Sequence, residues 1–134
     1  DGTTVGAIER GLCVLLSVGQ DDGERDLDVM VDKIAGLRVF ADPQGRMNLD
    51  VAAVRGGVLV ISQFTLHGDV RRGKRPSFTA AMDPEPASRM VDRVCERLRG
   101  RGLPVQTGRF GADMQVRLCN DGPVTILIDS KKTF

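Results

Sequence analysis

Residues 12–18 form a short apolar run that stops at Gly19, a length better suited to a buried strand than to a helix. From Asp26 the period changes. Leu27, Met30, Val31, Ile34 and Leu37 recur at steps of three and four, with Asp28, Asp32 and Lys33 on the opposite side, which predicts an amphipathic helix of about three turns. Residues 38–42 read as a strand broken by Asp42-Pro43-Gln44-Gly45, where proline fixes one φ and glycine frees another, and residues 47–49 form the return strand.

After Gly56-Gly57, residues 58–66 are almost continuously apolar, interrupted only by Ser62, Gln63 and Thr65, and predict a central strand. A second stripe, Ala87, Met90, Val91, Val94, Cys95 and Leu98, predicts another helix. Asp83 is placed to cap it, Pro84 suits its first turn, and Gly100 and Gly102 end it. Residues 114–118 and 124–128 alternate as half-buried strands do, with Asn120-Asp121-Gly122-Pro123 between them. Glycines (16) and prolines (6) cluster between these segments, so tight turns and a strand-rich fold are expected. The sum is one α+β domain over residues 1–134, a largely antiparallel sheet or partial barrel packed with two helices.

Composition narrows the function. At 134 residues the chain can bury a core without staples. Nineteen basic against 18 acidic side chains leave a net charge of +1, so any nucleic-acid surface must be local. Cys13, Cys95 and Cys119 have no CxxC spacing and each sits in an apolar run, reading as a small buried hydrophobe in a reducing cytoplasm. His67 is the sole histidine. Together with dispersed cysteines it offers no conventional zinc shell and no Ser/His/Asp set, so no metal or other cofactor is expected. The longest apolar run, residues 12–16, is far too short for a membrane span.

Three segments carry polar chemistry. Ser62-Gln63-Phe64-Thr65-Leu66 puts polar side chains where a hydrophobic strand leaves the core. Arg71, Arg72, Lys74 and Arg75 cluster in a loop that suits phosphate oxygens. In Asn120-Asp121-Gly122-Pro123, a Gly-Pro bond in the cis form would turn two carbonyls the same way, toward an amine. Each also has a plainer explanation: strand propensity, a solvated charge run, an ordinary turn. Spacing alone favours the plainer one each time. Arg109-Phe110-Gly111-Ala112-Asp113 serves equally as a packing corner or a binding rim.

Taken in order, the segments weigh differently. Ser62-Gln63-Phe64-Thr65-Leu66 with Gly68-Asp69, Lys74-Arg75-Pro76-Ser77-Phe78, Thr107-Gly108-Arg109-Phe110-Gly111-Ala112-Asp113-Met114 and Asn120-Asp121-Gly122-Pro123-Val124-Thr125 closely resemble the D-aminoacyl-tRNA deacylase family. Asp32-Lys33-Ile34-Ala35-Gly36-Leu37-Arg38, Met47-Asn48-Leu49 and Asp129-Ser130 extend the match over essentially the whole chain. Family members usually open with a further strand bearing Gln-Arg-Val, whereas Asp1-Gly2 resembles the turn after it.

The resemblance implies hydrolysis of the ester between a D-amino acid and tRNA, and of glycyl-tRNA mischarged on tRNA-Ala, as chiral proofreading in the cytoplasm. It implies a homodimer that takes the acceptor end of aminoacyl-tRNA. Ser62, Gln63, Phe64 and Thr65 would line the pocket, their backbone N–H groups aimed at the ester carbonyl. Gly122 and Pro123 of a second subunit would hold the substrate amine and reject an L side chain. Arg71, Arg72, Lys74 and Arg75 would position the tRNA.

Thr65 is a poor nucleophile without a base, and the resemblance favours help from the ribose 2′-hydroxyl. His67, two residues on, takes a structural or rim role. A noncatalytic RNA-binding module or a cofactor-free small-ester hydrolase are the other classes that keep part of these features.

Overall fold

The computed structural model describes residues 2–134; Asp1, half of the expected opening turn, lies outside them. Strand β1 (Gly11–Leu16) carries the first apolar run. Helix α1 (Glu24–Gly36) buries Leu27, Val31 and Ile34, the stripe their spacing predicts. At its start the Asp26 carboxylate accepts the Gly23 N–H at 2.9 Å, which satisfies a donor at the positive end of the helix. Strands β2 (Phe40–Ala41) and β3 (Met47–Leu49) pair as an antiparallel hairpin. Asp42 closes its turn, accepting the N–H groups of Gln44 and Arg46 at 2.9 Å each.

Strand β4 (Gly57–Ser62) lies at the centre of a second sheet in the order β1-β4-β5, where β5 is Val105–Thr107. Both pairings are parallel, which corrects the expectation of a largely antiparallel sheet or partial barrel. A parallel pair requires a long crossover, and here each crossover contains a helix: α1 before β4, and α2 (Pro84–Gly100) before β5. The sheet is open, with β1 and β5 at opposite edges.

Helix α2 buries Ala87, Val91, Val94, Cys95 and Leu98. Both helices close one core with Leu16, Val58, Val60, Leu103 and Val105. Asp83 occupies the cap position of α2, but its side chain makes no capping hydrogen bond, contrary to expectation. On their outer faces the helices are laced together by charge. Glu24 meets Arg93 at 2.5 Å and also Arg97, Arg97 meets Asp28, and Arg101 meets Asp32 at 3.3 Å.

Three further expectations are corrected. The central strand does not run to residue 66: it stops at Ser62, and a single 3₁₀ turn, Phe64–His67, follows. Residues 114–118 and 124–128 join neither sheet. Alternation makes a strand only where a neighbour supplies backbone partners, and Leu118, Ile126 and Leu127 stand exposed. Cys13 and Cys119 are likewise exposed, and only Cys95 is buried. Cys13 alternates with Leu12 and Val14, the β1 residues that pack on the core, so it faces away from the helices. No helix among the described residues is long and apolar enough to cross a membrane.

Candidate active site

The end of β4 and its continuation form a projecting turn. Gln63 N–H still bonds to the Leu16 carbonyl at 2.8 Å, so the turn begins anchored to β1. The chain then tightens: Leu66 N–H bonds to the Gln63 carbonyl at 3.1 Å and Gly68 N–H to the Thr65 carbonyl at 2.9 Å. Ser62 and Gln63 are half-buried, whereas Phe64 and Thr65 are exposed. The N–H groups of Phe64 and Thr65 open this turn, where the first donors of any helical turn lack internal acceptors. Gln63 Nε2 donates to Thr65 Oγ1 at 2.5 Å, so the amide orients the hydroxyl without serving as a base for it.

The turn is coupled directly to the basic loop. Phe64 and Phe78 pack edge to face with ring centroids 5.1 Å apart. Asp69 and Ser77 exchange backbone hydrogen bonds at 2.8 and 2.9 Å, which closes residues 70–76 into a loop at the foot of the turn. Arg71, Arg72, Lys74 and Arg75 are all exposed there. They are not equivalent. Arg71 is held by Asp69, whose carboxylate accepts from the Arg71 backbone N–H and Nε at 3.0 Å and from its terminal nitrogen at 2.6 Å. That grip drives the Asp69 carboxyl down to about 2. Arg72, Lys74 and Arg75 have no ion pair among the described residues and remain available to a phosphate.

Gly122 and Pro123 lie in an exposed turn with a cis peptide bond between them. Asn120 braces it: its side-chain oxygen accepts the Val124 N–H at 2.8 Å and its amide donates to Thr125 Oγ1 at 3.1 Å. Gly122 sits at φ +149, and a Cβ there would lie 2.8 Å from Val124 Cγ2. Among the described residues no hydrogen bond or ring contact links this turn to Ser62, Gln63, Phe64 or Thr65. The fold thus brings together two of the three segments singled out from the sequence, while the third stands by itself. Arg109 N–H meets Met114 Sδ at 3.3 Å, so the 109–114 loop is closed on itself.

The model of the family described as D-Tyr-tRNA(Tyr) deacylase matches residues 1–129. The chain belongs to that family. Curated relatives named D-aminoacyl-tRNA deacylase include one from Thermotoga petrophila, 57% identical over 131 residues, covering 98% of this chain and 88% of the relative. Another, from Sorangium cellulosum, is 60% identical over 134 residues, covering 99% and 89%. Among solved structures, one described as c-Myc DNA Unwinding Element Binding Protein superposes with a TM-score of 0.83 at 42% identity, over 89% of this chain and 81% of that one. A probable eukaryotic D-amino acid tRNA deacylase shares the fold alone, with a TM-score of 0.63 at 17% identity.

Set within the D-Tyr-tRNA(Tyr) deacylase family, the site shows two residues whose part the sequence reading missed. Ser17 counted as the tail of an apolar run, yet its Oγ lies 2.5 Å from His67 Nδ1. Asp69 stands in the sequence only as part of the Gly68-Asp69 motif, yet its pair with Arg71 decides which cations are free. The available signal was the short spacing of Asp69 and Arg71, which permits a carboxylate to bond the backbone and side chain two positions on.

Proposed function

We propose that this chain hydrolyses the ester of D-aminoacyl-tRNA, and of glycyl-tRNA mischarged on tRNA-Ala, releasing the amino acid and intact tRNA in the cytoplasm. The observation that carries this reading is the junction of the Phe64–His67 turn, exposed at Phe64 and Thr65, with a loop bearing three cations that make no ion pair among the described residues, through Phe64–Phe78 and Asp69–Ser77. An ester-sized group can rest on the turn while phosphates of the acceptor end meet Arg72, Lys74 and Arg75.

In this reading the Phe64 and Thr65 N–H groups face the carbonyl oxygen, where negative charge grows as the tetrahedral transition state forms. The substrate's 2′-hydroxyl assists the attacking water, which fits a site where the Thr65 hydroxyl is bonded to an amide rather than to a base. Gly122 and Pro123 come from a second copy and hold the α-amino group through their carbonyls, leaving no room for an L side chain. A two-fold dimer is the economical arrangement, each subunit lending its turn to the other. It would also cover Leu118, Ile126 and Leu127.

Matched D- and L-aminoacyl-tRNA, with a small D-aminoacyl ester beside them, provide the test. Hydrolysis of the D-aminoacyl-tRNA only supports the proposal. A second reading draws on the solved relative described as a DNA-binding protein: nucleic-acid binding through the basic loop without hydrolysis. Binding without turnover would favour it, and turnover of the small ester irrespective of tRNA would favour a general esterase.

A further inference from the structure

The grip on the far end of the active-site turn involves residues to which nothing above assigns a role in the reaction. Gln63 is tied to β1 through the Leu16 carbonyl, and the next residue of that strand's exit, Ser17, reaches the same turn by its side chain. Ser17 Oγ lies 2.5 Å from His67 Nδ1 and 3.5 Å from the Phe64 carbonyl oxygen. Ser17 and His67 are half-buried. The other edge of the imidazole is confined as well: a Cβ added at Gly19 would lie 3.1 Å from His67 Nε2 and 3.5 Å from Asp22 Oδ2. A side chain at position 19 would therefore crowd the ring, which would have to give by a few tenths of an ångström. Asp22 is itself held by the Gly19 N–H at 2.7 Å and faces Lys131 at 3.7 Å, and Asp129 presents its charge to the imidazole from the C-terminal segment.

We propose that Ser17 and His67 are positioning residues for ester hydrolysis, which together lock the turn carrying Gln63, Phe64 and Thr65 onto the end of β1. The proposal rests on the assignment of that turn to the ester pocket. The chemistry is a matter of complementary donors. When Nδ1 carries no proton it accepts the Ser17 O–H; when it carries one it donates to Ser17 Oγ, and the hydroxyl is freed to donate to the Phe64 carbonyl. Either way Ser17 holds the turn, and the N–H groups of Phe64 and Thr65 keep their direction. Neither residue needs to touch substrate. A misplacement of about 1 Å in a catalytic group can cost on the order of 100-fold in rate, so a loosened turn should be felt in turnover.

The test is steady-state hydrolysis of D-aminoacyl-tRNA by the full chain carrying Ser17→Ala, Ser17→Thr, His67→Asn or His67→Phe, with thermal unfolding of each. Ser17→Ala and His67→Phe should lower kcat by about tenfold or more while KM stays within about twofold, because Arg72, Lys74 and Arg75 lie beyond the Asp69–Ser77 bridge that closes their own loop. Ser17→Thr keeps the hydroxyl, and His67→Asn places an amide where Nδ1 stood; both should recover most of the loss. The Ser17→Ala/His67→Phe double variant should be little worse than either single one, as expected for two members of one contact. Wild-type kcat in Ser17→Ala and His67→Phe, or additive losses, would overturn the proposal. Gln63→Ala and Phe64→Ala in the same assay separate the two levels of argument. If they abolish turnover while Ser17→Ala is silent, only the positioning role fails. If they too are silent, the pocket assignment itself fails.

Discussion

Asp69 grips Arg71 through three hydrogen bonds, and so removes one of four clustered cations from the set that can meet a phosphate. Counterion release scales with the number of phosphates neutralised, at roughly 0.7–0.9 in the log–log salt slope for each. Replacing Arg72, Lys74 and Arg75 together by alanine should therefore flatten the salt dependence of tRNA binding by about two units, whereas Arg71→Ala should leave it nearly unchanged. Filter binding or fluorescence titration across a salt series measures both. An Arg71→Ala effect equal to one third of the triple variant's would show that the Asp69 pair opens on binding.

Thr65 invites assignment as the nucleophile, but its Oγ1 accepts from the Gln63 amide and no side-chain base is bonded to it. Thr65→Ala should lower kcat by about tenfold and leave hydrolysis measurable, while a 2′-deoxy substrate should lose at least about 100-fold with the native chain. Single-turnover rates for the four combinations decide the matter. A dead Thr65→Ala variant with an unimpaired 2′-deoxy substrate would make Thr65 the nucleophile.

Gly122 is constrained from two sides, by φ +149 and by Val124 Cγ2 at 2.8 Å from the site of any Cβ. Gly122→Ala should distort this exposed turn and reduce D-aminoacyl-tRNA hydrolysis by about 100-fold or more, with the melting temperature within a few degrees of the native value. Sedimentation of the same variant shows whether the turn also matters for association of two copies.

The start of α1 should report on acid. The Gly23 N–H and the Lys131 ammonium, each 2.9 Å from Asp26 Oδ2, bring the Asp26 carboxyl from 3.8 down to about 2. A carboxylate depressed in the folded state stabilises it fully above the unfolded value and loses that effect as pH falls through the folded one. Asp26→Asn should therefore melt a few degrees lower than the native chain at neutral pH, with the gap closing between about pH 4 and pH 2. A gap that persists at pH 2 would assign the effect to packing instead.

Periodicity made both helices legible, because burial at Leu27, Val31 and Ile34 and at Val91, Val94 and Leu98 depends only on a stripe facing a core. Strand direction was not legible. Short apolar runs between tight turns look alike whether the next strand runs parallel or antiparallel, and the helix inside each crossover is what decides. The alternation of Val124, Ile126 and Ile128 predicts a strand that does not form, because a pattern does not supply a neighbour to pair with. Ser62, Gln63 and Thr65 mark where a strand leaves the core, yet the 3₁₀ turn that follows is set by hydrogen bonds within residues 63–68 that composition does not encode. Ser17 stayed hidden for a similar reason. Its partner lies 50 residues away, and only tertiary structure brings them together.

The acidic row Glu24, Asp28, Asp32 on α1 and the basic row Arg93 and Arg97 on α2 with Arg101 just past its end share a four-residue step, so the two elements offer each other about one charge per turn. At room temperature exposed pairs of this kind contribute little, about 0–1 kcal/mol each. Heating changes the balance, because the hydration that competes with ion pairing weakens as temperature rises while hydrophobic stabilisation levels off. The two crossovers are therefore fastened by an interaction whose share of the total grows with heat, and lengthening or shortening that row is a route to adapting the same fold to warmer or cooler hosts without touching the Phe64–His67 turn.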